Sequence, residues 1–573
     1  MRYLQAAMLA FLAAGVTGLA LSGTPAGAEE PTAKAKLKKA FQAKLKAAAA
    51  DKATGNVVTL PTAPPKAAKP LPTPVAPDEL ARQIDALIDA KLAAEKVTPS
   101  AQATDAEFLR RAHLDLAGVI PTADAARAFL DDRDPAKRGK LLDQLLAADG
   151  YGAHLADLWT AKLYLKSSDN RFLTKEPLHD WLAAEFAKNT PWDQLVTKVV
   201  TATGTVEDNP AVSFFMANRG VDKLTDAVGT HFLGQSVACA QCHNHPFTPL
   251  KQTEYWGLAA FFSKVNLPNP KPPKLAGPDA PKPAVTEGNG LSRSKDFFPE
   301  STLKVAPHLL DGTPVKVSAT EAYRPVLAKW LTAPENADFA RAAVNQTWAR
   351  LFGRGLVNPV DDLHEGNPAS HPELLDLLAG QFAASKFDLK RLTRALILTN
   401  AYQRSSKPTA ANAADITLVS HATMKVMIPE QLYDSLQVLQ ARAGGPPKGN
   451  DRVARPQALL RGPGNGRDAF VNFFLAGADK ANAAEYEAGI PQALRLMNSR
   501  QTLGNSPGAA RSFAKPGATP AETLDEMYLA TLSRRPTAGE VAKALSYLKE
   551  SGPTGMADVL WALANTSEFV LIR

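Results

Sequence analysis

Apolar residues recur at helical spacing through nearly the whole chain after residue 77, and this pattern limits the fold more than any other feature. Leu80, Ile84 and Ile88 lie four residues apart, which places them on one face of an amphipathic helix. The same kind of spacing returns in residues 374–382. Alternation of apolar and polar residues is scarce, and residues 315–317 (Val-Lys-Val) are the best short strand candidate. The sequence predicts a mainly α protein: two helical domains with long loops and little strand.

Capping signals predict where several helices begin and end. A threonine or serine followed three residues later by glutamate can satisfy two free N–H groups at a helix start, and this pattern occurs at Thr104, Ser370 and Thr537. The helix predicted for residues 338–352 should end at Gly353, because glycine readily adopts the left-handed backbone found at helix ends. Helices are expected directly after each of the three hydroxyl residues.

Composition divides the chain into a leader, a tail, two helical domains and a linker. The leader combines an early arginine, an apolar run from about residue 8 to 21 and a small-residue cleavage pattern at residues 26–28, as in secretory signal peptides. Runs rich in Pro and Gly mark other boundaries. We predict a signal peptide at 1–28, a disordered Ala/Lys/Pro-rich tail at 29–76, a first helical domain at 77–266, a Pro/Gly-rich linker at 267–317 and a helical C-terminal domain at 318–573.

The formal net charge of +8 belongs mainly to the tail. Residues 29–70 contain nine lysines against three acidic residues, and residues 71–573 are nearly neutral overall. A nucleic-acid-binding body would carry a clustered basic face, so no nucleic acid partner is expected. After the leader, no stretch approaches the roughly 18 apolar residues that a membrane-spanning helix needs. Once the signal is cleaved, we expect a periplasmic or secreted protein without a transmembrane helix.

The only two cysteines of the chain are Cys239 and Cys242, and His243 follows directly. C-x-x-C-H is the pattern by which haem is attached covalently in c-type cytochromes. Two thiols three residues apart can add to the two vinyl groups of one haem, and the adjacent imidazole can bind its iron. Export fits this interpretation, because c-type haem is normally attached outside the cytoplasm. The sequence thus predicts one covalent haem c bound by Cys239, Cys242 and His243.

A second histidine, His245, lies two residues further on and is not required for haem attachment. Cys239, Cys242 and either His243 or His245 offer the thiolate and imidazole ligands of a zinc site. The two cysteines could also form a disulfide. Haem is the favoured occupant, and a Cys/His zinc site with His245 as a metal ligand is the alternative.

Other candidate residues lie outside the cysteine motif. His371 is the preferred distal iron ligand, because the positive end of the helix dipole favours the neutral imidazole that binds metal. His364 and the acidic residues around it can form a carboxylate–histidine cluster. Arg110 and Arg111 are expected to form a buried ion pair with Asp115 that locks helices together. The chain has no G-x-S-x-G, H-E-x-x-H or phosphate-binding glycine loop, so no catalytic residue is predicted.

Several motifs together resemble a known family. In the first half they are the runs 108–122 (FLRRAHLDLAGVIPT), 232–234 (FLG) and 239–247 (CAQCHNHPF). In the second half they are the runs 343–348, 351–357, 370–376, 401–406, 492–494 and 533–537. The chain resembles the planctomycete secreted cytochrome-like family, which has two successive domains of unknown function, the first with a CxxCH-x-HPF motif. His113 and Gln346 depart from the family pattern.

The resemblance and the motif together imply an exported c-type-cytochrome-like protein, with the cytochrome-like domain at 77–266. Its expected role is electron transfer or redox chemistry at the cell envelope, with an unidentified redox partner or envelope protein. The aromatic run 255–262 would supply apolar cover for the haem. A non-haem scaffold or binding protein with a structural zinc site is the alternative. A second alternative is an envelope enzyme acting on polysaccharide-derived substrates, and whether the protein is an enzyme is left open.

Overall fold

In the computed structural model, the described residues all belong to one compact unit. The predicted signal peptide, nearly all of the predicted tail and most of the predicted linker lie outside the described residues. The structure describes residues 71–164, 175–267, 284–288, 297–298, 302, 305–310, 315, 317–318, 320–441, 466–475, 492, 496–497, 510–514 and 516–573.

Helices account for most of the described first half. The α-helices are α1 (Pro77–Ala94), α2 (Asp105–Ala117), α3 (Ala123–Asp131), α4 (Lys137–Ala147), α5 (Asp149–Leu163), α6 (Glu176–Ala187), α7 (Trp192–Val200), α8 (Ser213–Ala217), α9 (Val221–Val228) and α10 (Gln252–Ala259). Short 3-10 turns cover Pro210–Val212, Ala238–Gln241 and Ala260–Phe262, and a π-helical turn covers Gly229–Leu233.

The described second half is also helical, which confirms the mainly α prediction. Its helices are α11 (Arg324–Leu331), α12 (Ala337–Phe352), α13 (Pro372–Ala384), α14 (Leu389–Leu398), α15 (Asn400–Gln403), α16 (Pro429–Ala441), α17 (Arg467–Phe474), α18 (Pro520–Leu532), α19 (Ala538–Ser551), α20 (Gly555–Ala564) and α21 (Ser567–Val570), with a 3-10 turn at Gly552–Thr554. Within the described ranges, no helix combines the length and the apolar character that crossing a bilayer requires.

The strands lie away from the position that the sequence suggested. β1 (Val265–Asn266) pairs antiparallel with β2 (Thr286–Glu287), and β3 (Lys425–Val426) pairs antiparallel with β4 (Leu571–Ile572). Residues 315 and 317 belong to neither pair, and residue 316 lies outside the described residues. Strands of two residues are too short to create an alternating pattern, so the sequence carries no signal for them.

Local capping chemistry sets several helix ends as predicted. Thr104 is the N-cap of α2 and accepts a hydrogen bond from the Glu107 amide at 3.3 Å. Thr537 caps α19 with a complete capping box, and Gly353 ends α12 in the left-handed region at φ 79°. The predicted cap at Ser370 is wrong by one residue. Proline at the first helical position fixes the start of α13 at Pro372, so His371 is the N-cap, without a side-chain capping bond.

The described helices of both predicted domains share one hydrophobic core. Helix α1, near the start of the described chain, packs against α14 and α15 from the second half. The buried Asp85 carboxylate on α1 accepts hydrogen bonds from the Asn400 and Ala401 amides at 2.8 and 3.1 Å, at the first turn of α15. The sequence limits of the two domains stay a prediction, but their helices stabilise each other directly.

Two buried arginines of α2 bind the C-terminal part of the chain. Arg110 donates hydrogen bonds to the Thr531 carbonyl at 2.8 Å and to the Phe569 carbonyl at 2.5 Å. Arg111 donates to the Arg573 carbonyl at 2.6 Å. Both arginines are 2% exposed, so these bonds replace most of the hydrogen bonds to water that the guanidinium groups have lost; only Arg110 Nε among them is buried without a partner. These acceptors are neutral carbonyl groups, which carry no residue-specific signal in the sequence. Arg111 also forms an ion pair with Glu107 on the same helix at 2.9 Å.

Asp115 does not have the partners that the sequence suggested. Its carboxylate accepts a hydrogen bond from Lys425 Nζ at 2.6 Å and another from the Tyr402 hydroxyl at 2.8 Å. The prediction of an ion pair between Asp115 and the two arginines is therefore wrong. The arginines do lock elements together, but through backbone carbonyls, while Asp115 forms a separate buried ion pair with Lys425.

Candidate functional site

The cysteine motif follows an α-helix whose last turn is π-helical. Helix α9 continues into the π-helical turn Gly229–Leu233, and Gly234 ends it with φ 64°. A Cβ at Gly234 would lie 2.5 Å from Leu363 Cδ1, so the close approach of the 358–367 loop also requires glycine here. The Leu363 amide donates to the Gly234 carbonyl at 2.8 Å. These contacts fix the point from which the motif begins.

Cys239 lies in a short 3-10 turn, Ala238–Gln241, and Cys242 is the C-cap of this turn. Side chains three residues apart on a 3-10 helix point in the same direction, which brings Cys239 and Cys242 to the same side. Ala240 between them is fully buried and anchors the turn to the core. Both thiols are exposed and free, so the structure has no disulfide between them. The turn presents a pair of accessible sulfur atoms to one side.

His243 follows the second thiol with an exposed ring. Its Nδ1 lies 2.7 Å from the Asn244 carbonyl oxygen. A carbonyl can only accept, so in this contact Nδ1 carries the hydrogen, and Nε2 of the neutral ring keeps its lone pair. Metal-binding histidines generally make such a bond with the nitrogen that does not face the metal. The His243 ring is therefore oriented with Nε2 available as a ligand.

His245 has a different environment, which explains its presence in the motif. Its Nδ1 accepts hydrogen bonds from the amides of Phe247 and Thr248 at 3.2 and 3.1 Å. Its own amide donates to the Leu250 carbonyl at 2.8 Å. Because Nδ1 is an acceptor, the neutral ring carries its hydrogen on Nε2. His245 thus closes the turn that follows the cysteines, and Phe247 in this turn is 81% exposed.

Helix α10 is hydrogen-bonded to the cysteine motif. The Gln241 carbonyl accepts hydrogen bonds from Trp256 Nε1 and Gln252 Nε2, both at 3.0 Å. The Gln252 amide donates to Asn244 Oδ1 at 3.0 Å. The aromatic run 255–262 forms a helix and a 3-10 turn, but Tyr255, Trp256 and the two phenylalanines are at most 1% exposed. These rings belong to the core, so the expected apolar cover for a haem does not come from this run.

The Asp226 carboxylate on α9 contacts the Tyr255 hydroxyl of α10. The sequence analysis did not identify it as a candidate residue. Asp226 Oδ1 accepts a hydrogen bond from the Tyr255 hydroxyl at 2.9 Å. Burial raises the pKa of the Asp226 carboxyl to about 6; the Tyr255 bond and Lys223 oppose this shift, and Asp222 adds to it. Burial also raises the pKa of Tyr255, and nearby Asp226, Asp222 and Cys242 contribute. The spacing of four residues between the two aspartates was the available sequence signal.

His371 is not brought to the cysteine motif by the described contacts. It is 4% exposed, and its Nδ1 lies 3.1 Å from the Ser370 hydroxyl. Burial, with a contribution from Lys91, lowers the pKa of His371 to about 4, so its ring is neutral as expected. Its helix α13 packs against α12 and α1, whereas the cysteine turn packs against α9 and α10. A role for His371 as distal ligand stays a prediction.

The carboxylate–histidine cluster is a loop with mostly local contacts. His364 Nε2 lies 3.4 Å from Asp362 Oδ1, and its Nδ1 accepts a hydrogen bond from the Gly366 amide at 3.0 Å. Asp361 instead interacts with Lys162 from α5. Across the part of the chain that the structure describes, no three His, Cys, Asp or Glu side chains are grouped to hold a metal ion. The zinc alternative stays a prediction.

Comparison with known families matches two successive segments of the chain to two family models. Residues 83–267 match the family model PSCyt2, described as a protein of unknown function (DUF1549). Residues 323–548 match the family model PSD1, also described as a protein of unknown function (DUF1553). The chain contains both domains in succession. The cysteine motif lies in the PSCyt2 segment, and the 358–367 loop, which contacts Gly234, lies in the PSD1 segment. No curated protein and no solved structure matches the chain.

Proposed function

We propose that the protein is an exported c-type-cytochrome-like protein that transfers electrons, or carries out redox chemistry, at the cell envelope. Cys239 and Cys242 would hold one covalent haem, and His243 would bind its iron. A bound haem supplies a one-electron iron couple whose potential the surrounding protein tunes. The proposal rests on the sequence pattern and on the local geometry of the Cys239–Phe247 turn.

The observation that carries the proposal is the arrangement of three accessible groups on one turn. The thiols of Cys239 and Cys242 are free, exposed and on the same side. His243 turns its Nδ1 to the Asn244 carbonyl at 2.7 Å, which leaves Nε2 for iron. The exposure of the three groups on one short segment supports the proposal, because covalent haem attachment needs two free thiols and an adjacent imidazole. The residues present therefore fit the cofactor.

The environment of His245 favours haem over zinc. A zinc site would need an imidazole nitrogen of His245 or an additional ligand beside the two thiolates and His243. His245 Nδ1 already accepts two backbone hydrogen bonds, and its Nε2 carries the ring hydrogen. Binding metal through Nδ1 would break the turn. The histidine that haem attachment did not explain thus has a structural role of its own.

The exposed position of the motif suits contact with a redox partner. Cys239, Cys242 and His243 are all exposed, and the 81% exposed Phe247 adds an apolar contact beside them. Electron transfer between proteins generally uses small interfaces. Residues 1–28 support delivery outside the cytoplasm, because they have the pattern of a secretory signal. An envelope or extracellular redox protein is the proposed partner.

The visible spectrum tests the proposal directly. The full chain would be expressed in a host with a c-type maturation system, purified, and extracted with acidified acetone. We expect a Soret band that stays with the protein, and its loss in the variant Cys239→Ser/Cys242→Ser. A colourless wild-type protein from a host that matures a known c-type cytochrome in parallel would overturn the proposal.

The variant His245→Asn separates the two cofactors. An asparagine side-chain oxygen can replace Nδ1 as the acceptor for the Phe247 and Thr248 amides, so the turn is kept. We expect full haem content in His245→Asn and a changed spectrum in His243→Asn. A protein that binds one zinc per chain, and loses it in His245→Asn, would favour the zinc scaffold instead.

A further inference from the structure

One glutamine of α10 is hydrogen-bonded to the chain on both sides of the pair Cys242–His243. Gln252 Nε2 donates to the Gln241 carbonyl at 3.0 Å, directly before the pair. The Gln252 amide donates to Asn244 Oδ1, also at 3.0 Å, directly after the pair. The second thiol and the imidazole therefore lie in a short span whose two ends are bonded to the same residue.

The residue before the pair is also held by two buried side chains. Trp256 Nε1 donates to the same Gln241 carbonyl at 3.0 Å, so both lone pairs of this oxygen are used. Gln241 Nε2 donates to Asp222 Oδ2 on α9 at 3.4 Å. Trp256 and Asp222 are both buried. The peptide between Gln241 and Cys242 therefore has a fixed direction relative to α9 and α10.

The bond after the pair satisfies the start of a helix. Gln252 is the first residue of α10, and the first N–H groups of a helix have no acceptor within it. The Asn244 side chain supplies an acceptor for the Gln252 amide. Because Asn244 is exposed, water can replace it there, and the bond contributes little to folding. Its main effect is on the position of the turn.

We propose that Gln252 and Asn244 are positioning residues for the cofactor site. They hold Cys242 and His243 in one orientation relative to Cys239. This inference rests on the proposed function, because a cofactor bound by both thiols and the imidazole needs all three groups in fixed relative positions. A ligand that needs an ordered turn binds more weakly when the turn is ordered only part of the time. Loss of either bond should therefore weaken binding to the thiol pair while the protein stays folded.

Phenylarsine oxide tests the proposal without haem, because its arsenic binds two thiols at once and its oxygen leaves as water. The full chain would be made without haem maturation, kept reduced and titrated with this probe. Gln252→Met keeps the length of the side chain but lacks the donor. We expect it to weaken binding about fivefold, as for the loss of one hydrogen bond that orders the site in advance. Thr253→Ala, on the same helix, is the control and should bind as the wild type does.

Variants of Asn244 test the other side of the pair. Asn244→Ala removes the acceptor of the Gln252 amide and should weaken binding of the probe by a similar factor. Asn244→Asp keeps an acceptor oxygen and should restore the affinity. Affinities of Gln252→Met and Asn244→Ala equal to that of Thr253→Ala would overturn the proposal. If Gln252→Met fails to fold, as judged by circular dichroism, the variants of the exposed Asn244 decide.

Alkylation by iodoacetamide separates the position of the thiols from their exposure. This reagent reacts with one thiolate at a time, so its rate should stay within about twofold of the wild-type rate in every variant. A loss of alkylation that parallels the loss of arsenical binding would also overturn the positioning role. The two proposals fail separately. A wild-type protein that binds no haem overturns the haem proposal, whereas unchanged arsenical binding in the variants of a haem-binding protein overturns the positioning role alone.

Discussion

Helix α2 and the turn Cys239–Phe247 are both rich in polar and reactive side chains, but they use them in opposite ways. From Phe108 to Ala117 every residue of α2 is buried. Its arginines donate to carbonyls of the same chain, and its Asp115 is paired with Lys425. In the turn, both thiols and the His243 ring face solvent. Burial and committed hydrogen bonds mark α2 as structural, whereas the exposed groups of the turn are open to solvent, as the proposed cofactor site requires.

The two motifs look equally specific in the sequence, but the stability of the fold depends on them to different degrees. A buried polar group must find its partner inside the protein, and losing that partner costs stability. An exposed group is solvated already, and its removal leaves the fold nearly unchanged. The free energy of unfolding of matched variants therefore separates the two regions on one scale.

The largest effect is expected for Arg110→Met. This change keeps an apolar stem but leaves the buried carbonyls of Thr531 and Phe569 without their donor, at a cost of about 3 kcal/mol. Urea denaturation followed by circular dichroism measures it. Arg82→Met is the control, because the Arg82 side chain is 76% exposed and should change stability by less than about 0.5 kcal/mol. If both variants lose the same free energy of unfolding, buried α2 and the exposed surface do not differ in the way expected.

The next largest effect depends on pH and concerns the carboxyl group under the turn. The pKa of Asp226 is raised to about 6 by burial, so the folded state keeps this proton at pH values where the unfolded state has released it. Stability from this group is present at low pH and is lost as pH rises to about 6. We expect Asp226→Asn to match the wild type at pH 4 and to exceed it by about 2 kcal/mol at pH 7.

Urea titrations at the two pH values check this expectation. Asparagine still accepts the hydrogen bond from the Tyr255 hydroxyl, so the change isolates the charge. Asp124→Asn serves as the control, since the Asp124 side chain is 67% exposed and should give the same small difference at both pH values. The expectation is wrong if the free energy of unfolding of the wild type, relative to that of Asp226→Asn, increases with pH. Burial would then not destabilise the Asp226 carboxylate.

A smaller effect is expected at the start of α2. Thr104→Ala removes the side-chain acceptor of the Glu107 amide and should cost about 1 kcal/mol. Thr554→Ala is the matched control, because Thr554 stands at the start of α20 without a side-chain capping bond. If Thr104→Ala proves neutral while Thr554→Ala destabilises, the cap of α2 is not the one described.

The smallest effect on folding is expected at the motif itself. In protein made without haem maturation, Cys239→Ser/Cys242→Ser should change the free energy of unfolding by less than about 0.5 kcal/mol, because both thiols are free and exposed. The same urea titration measures it. A loss of 2 kcal/mol or more would indicate a structural metal site, whose binding energy contributes to folding.

The features that the sequence predicted correctly are those with local causes. The caps at Thr104 and Thr537 and the end of α12 at Gly353 depend on side chains within a few residues. The Cys239–Phe247 turn also has local contacts, but its role as a cofactor site stays a prediction. At Ser370 two local signals competed, and the proline at position 372 decided the helix start.

The features that the sequence did not predict have partners far along the chain. Arg110 binds carbonyls 421 and 459 residues away, and a backbone carbonyl has no residue type to recognise. The placement of Lys162 against Gln346 joins positions 184 residues apart. Asp115 shows the same limit, since its partner Lys425 is 310 residues away. The sequence favoured a nearby arginine as the ion-pair partner of Asp115, but the structure has Lys425 in that position.

The long span between Arg110 and its acceptors also has a consequence in time. Arg110 is made early, but the Phe569 carbonyl follows it by 459 residues. At 5 to 20 residues per second, a ribosome needs on the order of half a minute to a minute and a half to add that length. During this interval α2 cannot complete its hydrogen bonds. The first half of the protein therefore cannot finish folding until the last helices have been synthesised.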